Sequence, residues 1–252
     1  MDWHKRFLQQ ASWTRDLRLY LFEQAGLTQA SRVLEVGCGT GAIISSLETS
    51  ATIHGLDLEF SHLSEARIHS ASAALICGNA LDLPYPCGVF DITFCHYLLL
   101  WVSDPQRVLL EMRRVTRSGG AVLALAEPDY ISRVDKPDAL VPLGYWQTES
   151  LRKQGADPGI GSQLEVLFRK AGIPPIETGP LQYSSDFSTR HGEDRYLKTL
   201  KDRELEWAVL EEDITGWIPA KEIQRLKILD EEAWERGERV LHVPTYFAWG
   251  KV

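Results

Sequence analysis

Residues 31–42 read SRVLEVGCGTGA, and this stretch decides the fold. Arg32 to Val36 is a short aliphatic run that leads directly into three closely spaced glycines, Gly37, Gly39 and Gly41. An apolar run ahead of glycines predicts a buried strand entering a tight turn, because glycine takes positive φ at no steric cost. Residues 42–47 resume an apolar pattern, which predicts a helix. A strand, a glycine-rich turn and a helix together hold a ligand at a helix N-terminus, where free N–H groups point outward.

The same alternation continues outward from this unit. Strands are predicted over 52–58, 74–78, 90–95 and 121–126, and helices over 61–70, with Ser61 as N-cap, and 105–116, with Pro105 in the first turn. Upstream, Trp13, Leu17, Tyr20, Leu21 and Ala25 recur at helical spacing and predict one helix over 12–25, stopped by Gly26. The segment AVLALA at 121–126 is apolar throughout. Strands buried on both faces read this way, and strand–helix alternation implies a parallel sheet with right-handed crossovers. Beyond residue 127 the rhythm changes: helices over 137–154 and 161–171, a strand over 176–183, a helical stretch over 191–237 and a last strand over 245–252.

Composition narrows the class. The 252 residues carry 27 Lys plus Arg against 35 Asp plus Glu, a net charge of −8, with 44% apolar and 25% charged side chains. These are the proportions of a globular protein, not of a disordered chain, a collagen or a coiled coil. Residues 1–126 hold 10 basic and 12 acidic side chains, and residues 127–252 hold 17 and 23, so neither half offers the basic surface a nucleic acid needs. Cys38, Cys77, Cys87 and Cys95 contain no CxxC pair, which argues against a zinc or redox motif and for a reducing interior. The N-terminal MDWHKRFLQQ lacks the apolar core of a signal peptide, and no apolar run approaches the roughly 20 residues that span a bilayer. A cytoplasmic protein without a membrane partner is the expectation.

Two ligand classes suit the glycine loop. GCGTGA fits the pattern G-x-G-x-x-A, and Asp57 lies 20 residues beyond Gly37 at the end of the second strand, where a carboxylate accepts both ribose hydroxyls. That arrangement serves a nicotinamide dinucleotide and S-adenosylmethionine alike. Glu35, two residues before the first glycine, separates them. A carboxylate there repels a pyrophosphate and favours a ligand with cationic or donor groups.

Further segments follow in order: GNALDLP at 78–84, FDITFCHYLLLWVSDP at 90–105 and VLLEMRRVTRSGGAVLALAEP at 108–128. With VLEVGCGTG at 33–41 and Asp57, they resemble the motifs of class I S-adenosylmethionine-dependent methyltransferases, in particular the methyltransferase type 11 group that includes ubiquinone/menaquinone C-methyltransferases. The resemblance covers residues 30–128. It implies an α/β, Rossmann-like fold with a seven-stranded mixed sheet flanked by helices and a helical insertion before the last strand. It further implies one methyltransferase domain over 1–252: a helical cover at 1–29, a core at 30–188 and 243–252, and an insertion or lid at 189–242. By the same resemblance, Gly37, Cys38 and Gly39 line the methionine part of the cofactor, and Glu35 stabilises the loop or meets the amino group. Asp57 holds the ribose, while Leu58, Asn79 and the Ala80 N–H face adenine. Cys95 offers its carbonyl to the ammonium, and Arg18 pairs with the carboxylate.

Ligands of doubly wound sheets bind beyond the carboxyl ends of the strands. The acceptor is therefore expected among Trp13, His96, Tyr97, Trp101, Tyr130 and Trp146, with core packing the competing role for each aromatic. His96 is the candidate general base or substrate orienter. Glu127 and Asp129 are too few for a catalytic metal site, and none is expected. EPDY at 127–130 is similar to a motif of base-methylating enzymes, but it follows the fifth strand rather than the fourth. The expected function is methyl transfer from S-adenosylmethionine to a small-molecule acceptor. A methyltransferase acting on tRNA or protein and a nucleotide-dependent oxidoreductase are the alternatives, and the sequence leaves the oligomeric state open.

Overall fold

The computed structural model describes residues 2–181 and 200–252. Among these, seven strands form one sheet in the order β3-β2-β1-β4-β5-β9-β7. They are β1 (Arg32–Val36), β2 (Thr52–Asp57), β3 (Ala74–Cys77), β4 (Phe90–Cys95), β5 (Thr116–Pro128), β7 (Pro175–Pro180) and β9 (Thr245–Lys251). β1 to β5 pair in parallel, and β9 runs antiparallel between β5 and β7, which makes the sheet mixed. The chain winds outward from β1 to β2 and β3, then returns to place β4 on the other side of β1. This reversal opens a crevice at the carboxyl ends of β1 and β4.

Alternation along the strands builds two cores, because successive side chains point to opposite faces. Leu34, Val36, Phe90, Val122 and Ala124 pack with Val108 and Met112 of α4 (Pro105–Val115) and with Phe168 of α6 (Leu164–Lys170). Val33, Ile92, Phe94, Leu123 and Leu125 pack on the opposite face with Leu21 and Phe22 of α2 (Arg15–Gln24). α3 (Phe60–His69) joins β2 to β3.

Several elements depart from the sequence expectation. The single helix predicted over 12–25 is two, α1 (Trp3–Trp13) and α2, broken at Thr14 with φ −110° and ψ 10°. The Thr14 hydroxyl is drawn to His96, 82 residues away, a contact that periodicity does not encode. Residues 42–47 make only a 3₁₀ turn, Ile44–Ser46, where the hydroxyls of Ser45 and Ser46 bond back to the carbonyls of Ala42 and Ile43. Glu59, not Ser61, occupies the N-cap of α3. The helix predicted from 137 begins later, as α5 (Val141–Lys153), after a 3₁₀ turn at Asp138–Leu140. Of the strand predicted over 176–183 and the helical stretch over 191–237, residues 182–199 lie outside the described residues.

The C-terminal half adds α7 (Leu200–Ile214), α8 (Ala220–Glu235) and a two-stranded antiparallel pair, β6 (Val134–Lys136) with β8 (Val240–His242). Leu140 and Leu143 bury themselves with Trp207, Leu210, Ile214 and Leu226 in a separate apolar cluster. Beside it runs a buried ionic chain. Asp230 accepts from Trp207 Nε1 at 2.8 Å and pairs with Arg203 at 3.3 Å and with Arg239 at 2.5 Å. Arg239 continues to Asp135 at 2.8 Å, and Asp135 to Arg133 at 2.7 Å. No described helix is long and apolar enough to cross a membrane.

Removing one member of a buried ionic network strands its partners without water. Asp230→Ala is therefore expected to destabilise the protein by about 3–5 kcal/mol, read as a fall in the urea midpoint.

Candidate functional site

The glycine loop takes its shape from β2. Gly37 and Cys38 both donate their N–H to the Leu56 carbonyl, at 2.7 and 3.0 Å. Gly37 and Gly39 stand at φ +74° and +50°, and neither has room for a side chain. A Cβ on Gly37 would lie 2.7 Å from Leu98, and one on Gly39 2.9 Å from the Phe7 ring. The loop is thus pressed between the segment after β4 and the N-terminal helix α1.

Asp57, the last residue of β2, locks the same loop. Its Oδ2 accepts from Gly39 N at 2.7 Å and its Oδ1 from Glu59 N at 2.9 Å, with His62 Nδ1 at 3.6 Å. Burial works to raise this carboxyl, but the hydrogen bonds from His62, Glu59 and Gly39 outweigh it and hold it below its ordinary range. Each oxygen keeps lone-pair capacity for a further donor.

Glu35, in β1, is 2% exposed, and its Oε2 has no hydrogen-bond partner among the described residues. Burial pushes its carboxyl well above the usual range, with Arg18 opposing. Burial likewise lowers Arg18 to about 10. The Arg18 guanidinium donates to the Ala11 carbonyl at 2.8 Å and to Thr14 Oγ1 at 3.2 Å.

The segment after β4 forms the opposite wall. His96 Nε2 lies 2.9 Å from Thr14 Oγ1, and its ring meets Tyr97 edge-on. Burial, reinforced by the Arg18 charge, holds this imidazole well below its ordinary value and hence neutral. Tyr97 has φ +53°, a left-handed conformation that costs a non-glycine residue about 1–3 kcal/mol. Glu127 secures the turn that follows. It is fully buried near the end of β5 and accepts from the N–H groups of Leu98, Leu99 and Leu100 at 3.0, 2.9 and 3.3 Å.

These walls enclose a cleft of about 960 Å³. Of the residues named from sequence, it brings together Glu35, Gly37, Cys38, Gly39, Asp57, His96, Tyr97, Trp101 and Tyr130. Trp13 stands in an adjoining small cavity with Arg6, Tyr97, Tyr130 and Glu206. The others are placed differently. Arg18 stands behind His96, bonded to α1 and Thr14, and Cys95 is fully buried. Leu58 is exposed after β2, next to the end of β3, where Asn79 Oδ1 accepts from Leu81 N at 2.9 Å and Ala80 is buried. Trp146 packs against the C-terminal apolar cluster and meets Trp217 edge-on. Its neighbours on α5, Gln147 and Leu151, face the cleft instead, together with Asp213 of α7.

Arg6 and Phe7 went unpredicted because the first helix was expected to begin only at residue 12, and Thr14 because its contact with His96 is non-local. A signal was present: Arg6 and Phe7 precede an amphipathic run without a break. Arg6 is buried and reaches Glu206 of α7 at 2.6 Å, joining the N-terminal helix to the C-terminal half over the cleft.

The Glu127 carboxyl generates a pH test. Burial raises it from 4.5 to about 7, against the three N–H bonds that favour its charged form. Between those values the native state keeps a proton that the unfolded chain has lost. Its contribution is therefore complete below pH about 4.5 and is lost as the pH rises through about 7. The thermal midpoint of the wild type should fall more steeply across this window than that of Glu127→Gln.

A family model described as a methyltransferase domain matches residues 34–124. The malonyl-[acyl-carrier protein] O-methyltransferase of Hamiltonella defensa subsp. Acyrthosiphon pisum is 34% identical over 116 residues, covering 46% of this chain and 45% of that protein. The demethylmenaquinone methyltransferase of Bacillus licheniformis is 35% identical over 198 residues, covering 69% of this chain and 82% of that protein. Some matches are partial: the chain spans 45% of the first of these relatives and 64% of an uncharacterized Streptomyces fradiae protein. Among solved structures, the [4+2]-cyclase SpnF superposes with a TM-score of 0.59 at 22% identity, covering 94% of this chain and 80% of that one, a likeness of fold.

Proposed function

This chain belongs to the class I methyltransferase family, and from that premise we propose that it transfers a methyl group from S-adenosylmethionine to a small-molecule acceptor. The observation that carries the reading is Glu35 Oε2, a buried carboxylate oxygen without a partner among the described residues, on a residue that lines the cleft beside Gly37 and Gly39. A buried carboxyl oxygen without a partner is costly unless a ligand supplies a donor, and a cationic donor offsets the burial that pushes Glu35 toward its neutral form. The amino group of S-adenosylmethionine is such a donor, and it suits this position as a pyrophosphate does not.

The remaining residues fit the same molecule. Gly37, Cys38 and Gly39 leave the loop backbone bare for the methionine part. Asp57 has lone pairs for the ribose hydroxyls, with Leu58, Asn79 and Ala80 on the adenine side and the Cys95 carbonyl beneath. Arg18, held by Thr14 and Ala11, favours the charged form of Glu35 rather than contacting the cofactor. Bound there, the cofactor supplies a methyl group already activated on a sulfonium. The protein's task is then to align the acceptor and exclude water.

His96, Tyr97, Trp101 and Tyr130 wall the acceptor side, with Trp13 in the adjoining cavity. His96 is held neutral by burial and the Arg18 charge and shares its Nε2 with Thr14, which suits it to orient an acceptor better than to take up its proton. Residues of the helices at 141–153 and 200–214 line the cleft, which places the described part of the 189–242 insertion where a lid would act, within a single domain over 1–252. The acidic excess favours a small acceptor over a tRNA. Two similar proteins are named for the acceptors demethylmenaquinone and malonyl-[acyl-carrier protein], neither of which is a nucleic acid. A cytoplasmic location accords with this chemistry.

Calorimetry tests the reading. S-adenosylhomocysteine should bind at one molecule per chain, and Asp57→Ala should weaken it at least about tenfold, or about 1.4 kcal/mol. No binding at millimolar concentration overturns the cofactor assignment, and unchanged affinity in the variant removes Asp57 from the site. Because the fold also carries a cyclase, transfer itself is followed with methyl-labelled cofactor. Label should enter small-molecule extracts and not RNA.

A further inference from the structure

We propose that His4, Glu65 and His69 form a binding site for a divalent metal ion of the zinc type, which clips the N-terminal helix to α3 beside the cleft. The three residues come from two elements. His4 is in the first turn of α1, while Glu65 and His69 are four residues apart on α3 and so share one face. One ligand atom from each lies within 4.8 Å of the others, and no other group of this kind occurs among the described residues.

Two imidazoles and a carboxylate are a donor set of the zinc class, with a water completing four-coordination. His4 also has the outer-sphere support such ligands use. Its Nδ1 lies 2.8 Å from Thr40 Oγ1, and with Nδ1–H donating there, Nε2 is left with its lone pair for a metal. Thr40 is itself fully buried, which fixes the ring.

The apo geometry needs one adjustment. The His4 and His69 rings stack with centroids 3.7 Å apart and 4° between planes. A metal lies in the plane of each imidazole it binds, so two parallel rings cannot share one ion. Tetrahedral bonds of about 2.0–2.1 Å also bring ligand atoms to about 3.3 Å of each other. His69 makes the change: it is exposed, stands at the C-terminal end of α3 and turns to another rotamer while Thr40 holds His4.

The consequence reaches the cleft. Thr40 sits between Gly39 and Gly41, and Glu65 is one of the cleft residues. An ion here ties α1, the glycine loop and α3 together where Phe7 already covers Gly39. The site's readout is metal uptake, so it stands or falls apart from the methyltransferase reading.

The test uses the full chain without an affinity tag, stripped with chelator and dialysed. Zinc chloride is titrated by calorimetry and cobalt chloride by visible absorption. The expected result is one ion per chain, intense d–d bands of low-symmetry cobalt and a raised thermal midpoint. His69→Gln, at an exposed position, should weaken zinc binding at least about tenfold, and Thr40→Val by about 10–100-fold. Absence of uptake, or uptake unchanged in His69→Gln and in His4→Ala, overturns the proposal.

Discussion

Three consecutive backbone N–H groups, those of Leu98, Leu99 and Leu100, converge on one buried carboxylate, Glu127. These donors stand at the start of a 3₁₀ turn, Leu99–Trp101, where N–H groups have no partner within the turn, and a buried N–H without an acceptor is costly. Glu127 supplies the acceptor from the neighbouring strand β5 and so dictates the path of residues 96–101. That path sets the rest of the cleft. It brings Leu98 against Gly37, holds Tyr97 in a left-handed backbone conformation and delivers His96 to Thr14.

The opposite wall is built on the same device. Asp57, at the end of β2, accepts from Gly39 and Glu59, so a carboxylate at a strand terminus again shapes a loop of bare N–H groups. Glu35 is the exception. It is as buried as Glu127, yet one of its oxygens is left without a donor among the described residues. Asp57 and Glu127 accept from backbone N–H groups through both oxygens, whereas Glu35 keeps one oxygen that no described residue uses.

Much of this was legible in the sequence. β1, β4, β5 and β9 are built on largely apolar runs that are buried on both faces, and hydrophobicity marks them. The positions of Gly37, Gly39 and Asp57 follow from a local pattern of turn and strand end. What was illegible is non-local. The break at Thr14 depends on His96. The 3₁₀ turn at Ile44–Ser46 depends on serine hydroxyls reclaiming carbonyls that a helix would use. β6 and β8 are three residues each, too short for any period, and are joined through Arg239 and Asp135. Trp146 reads as a site aromatic, yet helical phase turns it toward Trp217 and gives the cleft to Gln147. The Arg6–Glu206 pair spans 200 residues and has no sequence signature.

The central claim is that the oxygen left over on Glu35 is the ligand's anchor. A crystal structure with S-adenosylhomocysteine bound tests it most directly. The amino group should lie within hydrogen-bond distance of Glu35 Oε2, directly or through one ordered water, and the ribose hydroxyls on Asp57. A ligand seated elsewhere, or one that leaves Glu35 Oε2 without a donor, would contradict it.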